Sequence, residues 1–358
     1  VGRKLALALL VLLAALFTLD LEPDFEAPPL GFQVSERARR LHAKSIVVDL
    51  HVDSLLWPRD LSSSGNGGHV DFPRMRQGGL DVAAFTLPTR FFGVAGLKAL
   101  HDRWPPATWF SPWERLLYQL DKTRSWTDAF LATDSATIRR THAEGKLSYF
   151  HGVEGAHALE GEVRRVSELR ERGVLFIGLV HLRDNEVGCS SSGSDRGLTE
   201  LGRKLMGEMN RNGVLVDLAH ASPRTFFEAV ELTAFPPIVS HTGVRSVHDN
   251  WRNLSDDQIR AVAERGGVIG VMLAPPALRE PSLEEAVRHI EHVVEVGGED
   301  AAAIGSDFDG YVDPAIDAAG LPALTELMLR HGFSEDRIRK ILGENALRVL
   351  EARFTGRK

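Results

Sequence analysis

One cysteine, Cys189, is the whole thiol content of this 358-residue chain. A single thiol closes no intrachain disulfide and builds neither a thiolate zinc site nor a cysteine-rich scaffold. Any metal must therefore be held by imidazole and carboxylate. Cys189 itself lies in "GCSSSGS", a loop composition, and reads as an incidental thiol. No long basic run occurs, and a formal charge of -7 with a pI near 6.1 argues against a nucleic-acid-binding surface. No Gly-rich phosphate-binding turn follows the first apolar strand, which removes the signature of a dinucleotide-binding doubly wound sheet. Internal repeats are absent, and low complexity is confined to "SSSGNGG" at 62–68 and "SSSGS" at 190–194.

What is there begins at the amino end. Arg3 and Lys4 precede an uncharged apolar run from Leu5 to Leu19, followed by an acidic, Pro-containing stretch. A basic patch ahead of an apolar run reads as an export signal. As a helix the run would span roughly 22 Å, short of a ~30 Å hydrocarbon core. No small-x-small cleavage pattern follows it, so residues 1–21 read as either a signal peptide or a membrane anchor. Residues 22–35 are then a linker, and the protein is expected to be exported, held to the membrane by residues 5–19 if the segment is an anchor and released if it is a signal.

From residue 36 to 358 the pattern is that of one large α/β domain, in keeping with 43% hydrophobic and 25% charged residues. Apolar strand-like runs recur at Ile46–Leu50, Val82–Leu87, Leu147–Val153, Leu175–Val180, Val214–Ala219, Ile238–Ser240, Val268–Leu273 and Ala302–Gly305. Helical stretches at 157–172, 199–211, 223–232, 255–265 and 282–297 separate most of the later ones. The signal is clear in "NLSDDQIRAVAERGG", where Ser255 and Gln258 have capping-box spacing and Gly266 is a stop. Eight apolar strands alternating with helices predict a (β/α)8 barrel. Residues 89–146 break the rhythm and read as an insertion after the second strand, shaped to cover the barrel mouth.

The strand ends are polar in a way the strands are not. The first strand, in "VVDLHVDSLLW", carries Asp49, His51 and Asp53 at alternate positions, hence on one face. Glu154 ends the third strand, His181 the fourth, His220 the fifth, His241 the sixth and Asp307 the eighth. In a barrel that edge is where active sites form. Each residue alone has an ordinary structural explanation. Together, converging carboxylates and imidazoles repel or desolvate one another unless a cation sits among them. Imidazoles and carboxylates are the ligand types a divalent metal wants, zinc foremost. Asp49, one layer deeper, reads as a buried supporting acid rather than a ligand.

The pieces "DLHVD", "GVEGAHAL", "LVHLRDNEVG", "GLTELGRKLMGEMNRNGVLVDLAHAS", "IVSHTGVRSVHDNWRNLSDDQIRAV" and "IGSDFDG" run in order from about residue 45 to the carboxyl end. In them the chain resembles the membrane (renal) dipeptidases, the M19 group of metallopeptidases among the amidohydrolase-like barrels. The resemblance implies two zinc ions per chain. His51, Asp53 and Asp307 would serve one ion, His220 and His241 the other, with Glu154 bridging. It assigns His181 to the scissile carbonyl of the substrate and Arg252 to its terminal carboxylate. A metal-bridged hydroxide would attack the dipeptide carbonyl, and Asp307 would carry the proton to the departing amine. It also points to a homodimer. Val52, "SHTG" and the lack of an aromatic residue in "GVMLAPPALRE" depart from the family pattern, as does most of 89–146. None of these touches an implied ligand, so the chemistry carries over and substrate preference does not. Hydrolysis of another small carboxylate-bearing amide or lactam is the alternative, and an inactive exported metal-binding protein a third reading.

Overall fold

The computed structural model describes residues 24–65, 67–90 and 102–355. The apolar run at 5–19 lies outside the described residues, among which no helix is long and apolar enough to cross a membrane.

Nine strands form one parallel sheet: β1 (Val48–Val52), β2 (Val82–Pro88), β3 (Ala129–Leu131), β4 (Leu147–Glu154), β5 (Val174–Gly178), β6 (Leu215–Asp217), β7 (Ile238–Thr242), β8 (Val268–Val271) and β9 (Ala302–Ile304). Their order is β2-β1-β9-β8-β7-β6-β5-β4-β3, and β2 pairs with β4 from Val82↔Ser148 to Pro88↔Glu154. That pairing closes eight strands into the barrel that the strand pattern predicts. The ninth strand, β3, belongs to the insertion. It sits beside the first residues of β4 at Leu147, Ser148 and Tyr149, on the edge that β5 takes over from His151 onward. With only three residues, it is too short for periodicity to reveal.

The helices form where capping and apolar spacing ask for them. Ser255 caps Asp256–Glu264 with both bonds of the capping box, and Thr199, Ser222 and Ser282 cap Glu200–Asn212, Pro223–Leu232 and Leu283–Gly297. The expected helix at 157–172 is broken. A single turn, Ala156–Leu159, is separated from the helix Arg165–Glu171. Glu160 at φ 49° and Gly161 at φ 79° are left-handed, which no α-helix accommodates.

The described part of the insertion packs at the side of the mouth. Trp104, Trp109 and Tyr118 cluster with Leu56 and Trp57, and Arg115 donates to the carbonyls of Thr108, Thr89 and Trp109. Among the described residues of 89–146, only Arg90 reaches the cavity at the barrel mouth. Residues 91–101 of the insertion lie outside the described residues.

Candidate metal centre

Asp53 lies just beyond β1, Glu154 is the last residue of β4, and His241 lies within β7. His181, His220 and Asp307 each lie three residues past the ends of β5, β6 and β9. His220 and Asp307 take left-handed backbones, φ 64° and 65°, which turns them back over the barrel axis. Such conformations persist only where surrounding structure holds them, and they gather at functional sites. The exits of β1 and β9 are tied together: Asp53 N donates to Phe308 O at 2.8 Å and Asp307 N to His51 O at 3.1 Å.

The result is one compact cluster. Glu154 Oε1 lies 3.1 Å from His220 Nε2, 3.3 Å from His181 Nε2 and 3.7 Å from both His51 Nε2 and His241 Nε2. His51 Nε2 is 3.4 Å from Asp53 Oδ1 and 3.7 Å from Asp307 Oδ1, while His220 Nε2 and His241 Nε2 are 3.0 Å apart. Two ligand atoms on one tetrahedral zinc stand ~3.3 Å apart, so these spacings are those of groups sharing a cation. Three sets of donors could each hold a metal ion: His51 with Asp53 and Glu154, His51 with His241 and Asp307, and Glu154 with His181 and His220. All seven residues are buried, and His51 Nε2 has no hydrogen-bond partner among the described residues. A buried imidazole nitrogen without a partner, facing three carboxylates, fits a metal.

The electrostatics show what the protein alone must tolerate. Burial is the largest single influence on His51 and lowers its pKa, but the carboxylates of Asp53, Glu154 and Asp307 together outweigh it and lift the value to about 10. Burial pushes Asp307 up to about 7, opposed by His51 and reinforced by Asp53. Burial, then Asp53, holds Glu154 well above the carboxylate range. His181, His220 and His241 are driven well below the usual imidazole value, first by burial. Supporting groups hold the rings in place. Ser240 Oγ is 3.0 Å from His51 Nδ1, 2.9 Å from His241 Nδ1, and donates to Asp217 Oδ2 at 2.6 Å. Asp49 is not among these donor sets. Its Oδ1 accepts the backbone amides of His51 and Ser306 at 3.1 and 2.9 Å, bracing β1 against the β9 exit.

Over the cluster lies a cavity of about 290 Å³, lined by Asp53, Glu154, His181, Arg252 and Asp307 together with aromatic and apolar walls. Arg252 is buried and donates through Nη2 to His241 O at 2.6 Å, 3.4 Å from His220 Nε2. A larger hollow of about 680 Å³ beside the mouth, lined by Arg59, Lys122 and Asp128, contains none of these residues. The smaller cavity is at the low end for small-molecule sites and suits a ligand of few atoms.

The model of the membrane dipeptidase family, peptidase family M19, matches residues 35–356. The chain belongs to that family. It is a metallodipeptidase by membership, and it carries a cluster competent to hold metal. Among curated relatives, an uncharacterized dipeptidase of Schizosaccharomyces pombe is 29% identical over 306 residues, 80% of this chain and 72% of its own. A crystal structure of the M19 metallopeptidase dipeptidase AC superposes with a TM-score of 0.74 at 29% identity, covering 86% of this chain and 98% of that one. A metallopeptidase from Rhodobacter sphaeroides, liganded with a phosphinate mimic of the dipeptide L-Ala-D-Ala, has a TM-score of 0.73 at 27% identity, over 86% and 99% of the two chains.

In the structure, every residue marked in the sequence as a ligand or substrate contact reaches one cluster and the cavity above it. Four contributors escaped sequence reasoning. Asp217 and Ser240 are unremarkable strand residues until the fold places them behind the imidazoles. Trp251 and Tyr311 line the cavity rim, 43% and 49% exposed, and supply the aromatic surface that "GVMLAPPALRE" lacks; there Met272, Pro275 and Pro276 form the wall. The adjacency of Trp251 to Arg252 was the one available hint.

Proposed function

We propose that the chain is a zinc-dependent dipeptidase with a dinuclear centre, in which His51, Asp53 and Asp307 hold one ion, His220 and His241 the other, and Glu154 both. The observation that carries this is the single Glu154 oxygen facing four imidazole nitrogens within 3.7 Å. When bound, two zinc ions would supply a Lewis acid for the carbonyl and make water nucleophilic near neutral pH. The chain's own residues do the rest. Arg252, a planar permanent cation, holds the terminal carboxylate of the substrate and sets its register. His181, kept neutral by burial, offers its ring to the scissile carbonyl oxygen without repelling the metals. Asp307 takes the proton of the attacking water and delivers it to the departing amine nitrogen. The walls exclude bulk water and long peptides.

The test is zinc content and dipeptide hydrolysis measured together on the wild type and Glu154→Gln. About two zinc per chain, with metal and activity both collapsing in the variant, supports the bridged pair. Zinc bound without cleavage of any dipeptide, but with cleavage of N-acyl amino acids, would move the reading to another carboxylate-bearing amide. Export rests on the run Leu5–Leu19; fractionation of cells producing the full chain, with and without alkaline extraction, separates a cleaved signal from an anchor.

A further inference from the structure

Arg90 lines the same cavity, two residues past the end of β2. Arg252 lies over β7, bonded to His241 O and, through its own carbonyl, to Thr242 Oγ1. In the closed ring, β2 and β7 are four strands apart in either direction, so the two arginines enter the cavity from opposite strand exits, Arg252 against His220 and His241 and Arg90 against the Arg183 carbonyl. Arg252 is accounted for by the terminal carboxylate. Arg90 is not.

Among the described residues it makes one hydrogen bond, from Nη1 to the carbonyl oxygen of Arg183 at 3.2 Å, and no carboxylate lies within ion-pairing distance. Glu186 favours its charge only from farther away, while burial and Arg183 oppose it. The segment that follows, "FFGVAGLKALH" at 91–101, contains no acid to neutralise it. A guanidinium on a cavity wall with no carboxylate against it keeps its planar fork available to an anion that enters the cavity. The carboxylates of the cluster would be more than offset by two divalent ions, so the loaded site would not repel a second negative group.

Resting on the dipeptidase reading, we infer that Arg90 is a specificity-determining residue that recognises a second carboxylate, carried on the amino-terminal side of the scissile amide. The preferred substrates are then dicarboxylic: dipeptides with an acidic first residue, held by Arg252 at one end and Arg90 at the other. Neutral first residues leave Arg90 unpaired, and basic ones oppose it.

The experiment compares kcat/KM for Glu-Ala, Gln-Ala and Lys-Ala on the zinc-loaded full chain, for wild type, Arg90→Gln and Arg90→Glu. A charge-assisted pair predicts that the wild type favours Glu-Ala over Gln-Ala by about tenfold. Arg90→Gln brings that ratio near one, and Arg90→Glu inverts the order in favour of Lys-Ala. A wild-type ratio near one, or a ratio unchanged in both variants, overturns the inference. Calorimetry with N-succinylglycine against N-butanoylglycine reads the same charge without hydrolysis. If no dipeptide is cleaved, the dipeptidase reading fails; a tenfold binding preference for the diacid, lost in Arg90→Gln, would still uphold the second anion site, and equal binding would overturn it.

Discussion

Ser240 donates its only hydroxyl proton to Asp217, at 2.6 Å, and this one bond dictates the tautomer of two imidazoles. A serine hydroxyl has one donor and two acceptor sites. With the donor spent on Asp217, Ser240 Oγ can only accept from His51 Nδ1 at 3.0 Å and His241 Nδ1 at 2.9 Å. Both rings must then carry a proton on Nδ1 and can turn the Nε2 lone pair toward a metal. Asp217 is itself fixed by the backbone amides of Ala219 and Ser240 at 3.0 and 2.9 Å. In Asp217→Asn the amide can donate to Ser240 and reverse the relay. Zinc affinity should fall by about 10–100-fold with little change in melting temperature of the metal-free protein. Competition against a chromophoric chelator measures it, and unchanged affinity would refute the relay.

Metal loading should release protons. In the metal-free protein His51 titrates at about 10 and Asp307 at about 7, so near neutrality the centre holds protons where ligands are needed. Raising the pH removes those competitors. Apparent zinc affinity should therefore climb from pH 6 to pH 8, by about tenfold per unit for each proton displaced. Calorimetry in buffers of different ionisation enthalpy counts the protons. A pH-independent affinity with no proton release would contradict the placement of His51 among the ligands.

Close approach of backbones sets the ligand positions as much as side chains do. A Cβ built on Gly305 would stand 1.8 Å from Ser240 O, and one on Gly270 would stand 2.1 Å from the same oxygen. These two glycines let β9 and β8 close on the β7 residue that orients the rings. Gly305→Ala should cost about 1–3 kcal/mol of stability through overpacking and displace Ser240. Thermal melts and zinc titration should both respond. A normal melt with normal zinc binding would show that the barrel absorbs the methyl group elsewhere.

Behind the mouth, Asp309 straps three loops together. Its carboxylate accepts from Ser54 Oγ, Arg59 Nη2 and, at 2.6 Å, the backbone amide of His69, while its carbonyl accepts Trp57 Nε1 at 2.8 Å. Burial is the largest single influence and would raise its pKa, but Arg59, His69 and Ser54 together outweigh it and hold the carboxyl far below the usual range. Because the folded value is depressed, the stability it contributes is complete above the unfolded pKa, ~3.9, and is lost as pH falls toward the folded one. Asp309→Asn removes a buried carboxylate from its ion pair with the partly buried Arg59 and should cost about 3–5 kcal/mol at pH 7. The gap in melting temperature from wild type should shrink below pH 4. A gap equally large at pH 3 and pH 7 would mean the charge of Asp309 is not what holds the strap.

Much of this was legible in the chain itself. Continuous apolar runs between capped helices announced the barrel, because burial on both faces of a parallel sheet leaves no room for alternation. His51, Asp53, Glu154, His181, His220, His241 and Asp307 stood out because titratable groups at the ends of buried strands need a reason to be there. Three features stayed hidden. The strand Ala129–Leu131 is too short to show a period. The break at Glu160 and Gly161 depends on a backbone conformation that residue type only permits. Asp217 and Ser240 are common strand residues, and their role exists only relative to two rings from other strands.

The sequence by itself determined which residue types reach one edge of the sheet, since strand periodicity and capping are local and repeat every few residues. Only the tertiary structure decided how those residues meet. Direct pairing of β1 with β9 brings His51 within 3.7 Å of Asp307 from the opposite end of the chain, and closure through β2–β4 puts the strands that lead to Arg90 and Arg252 on opposite sides of the ring. Such distances follow from ring closure and backbone approach, which couple residues far apart in sequence and leave no local pattern to read.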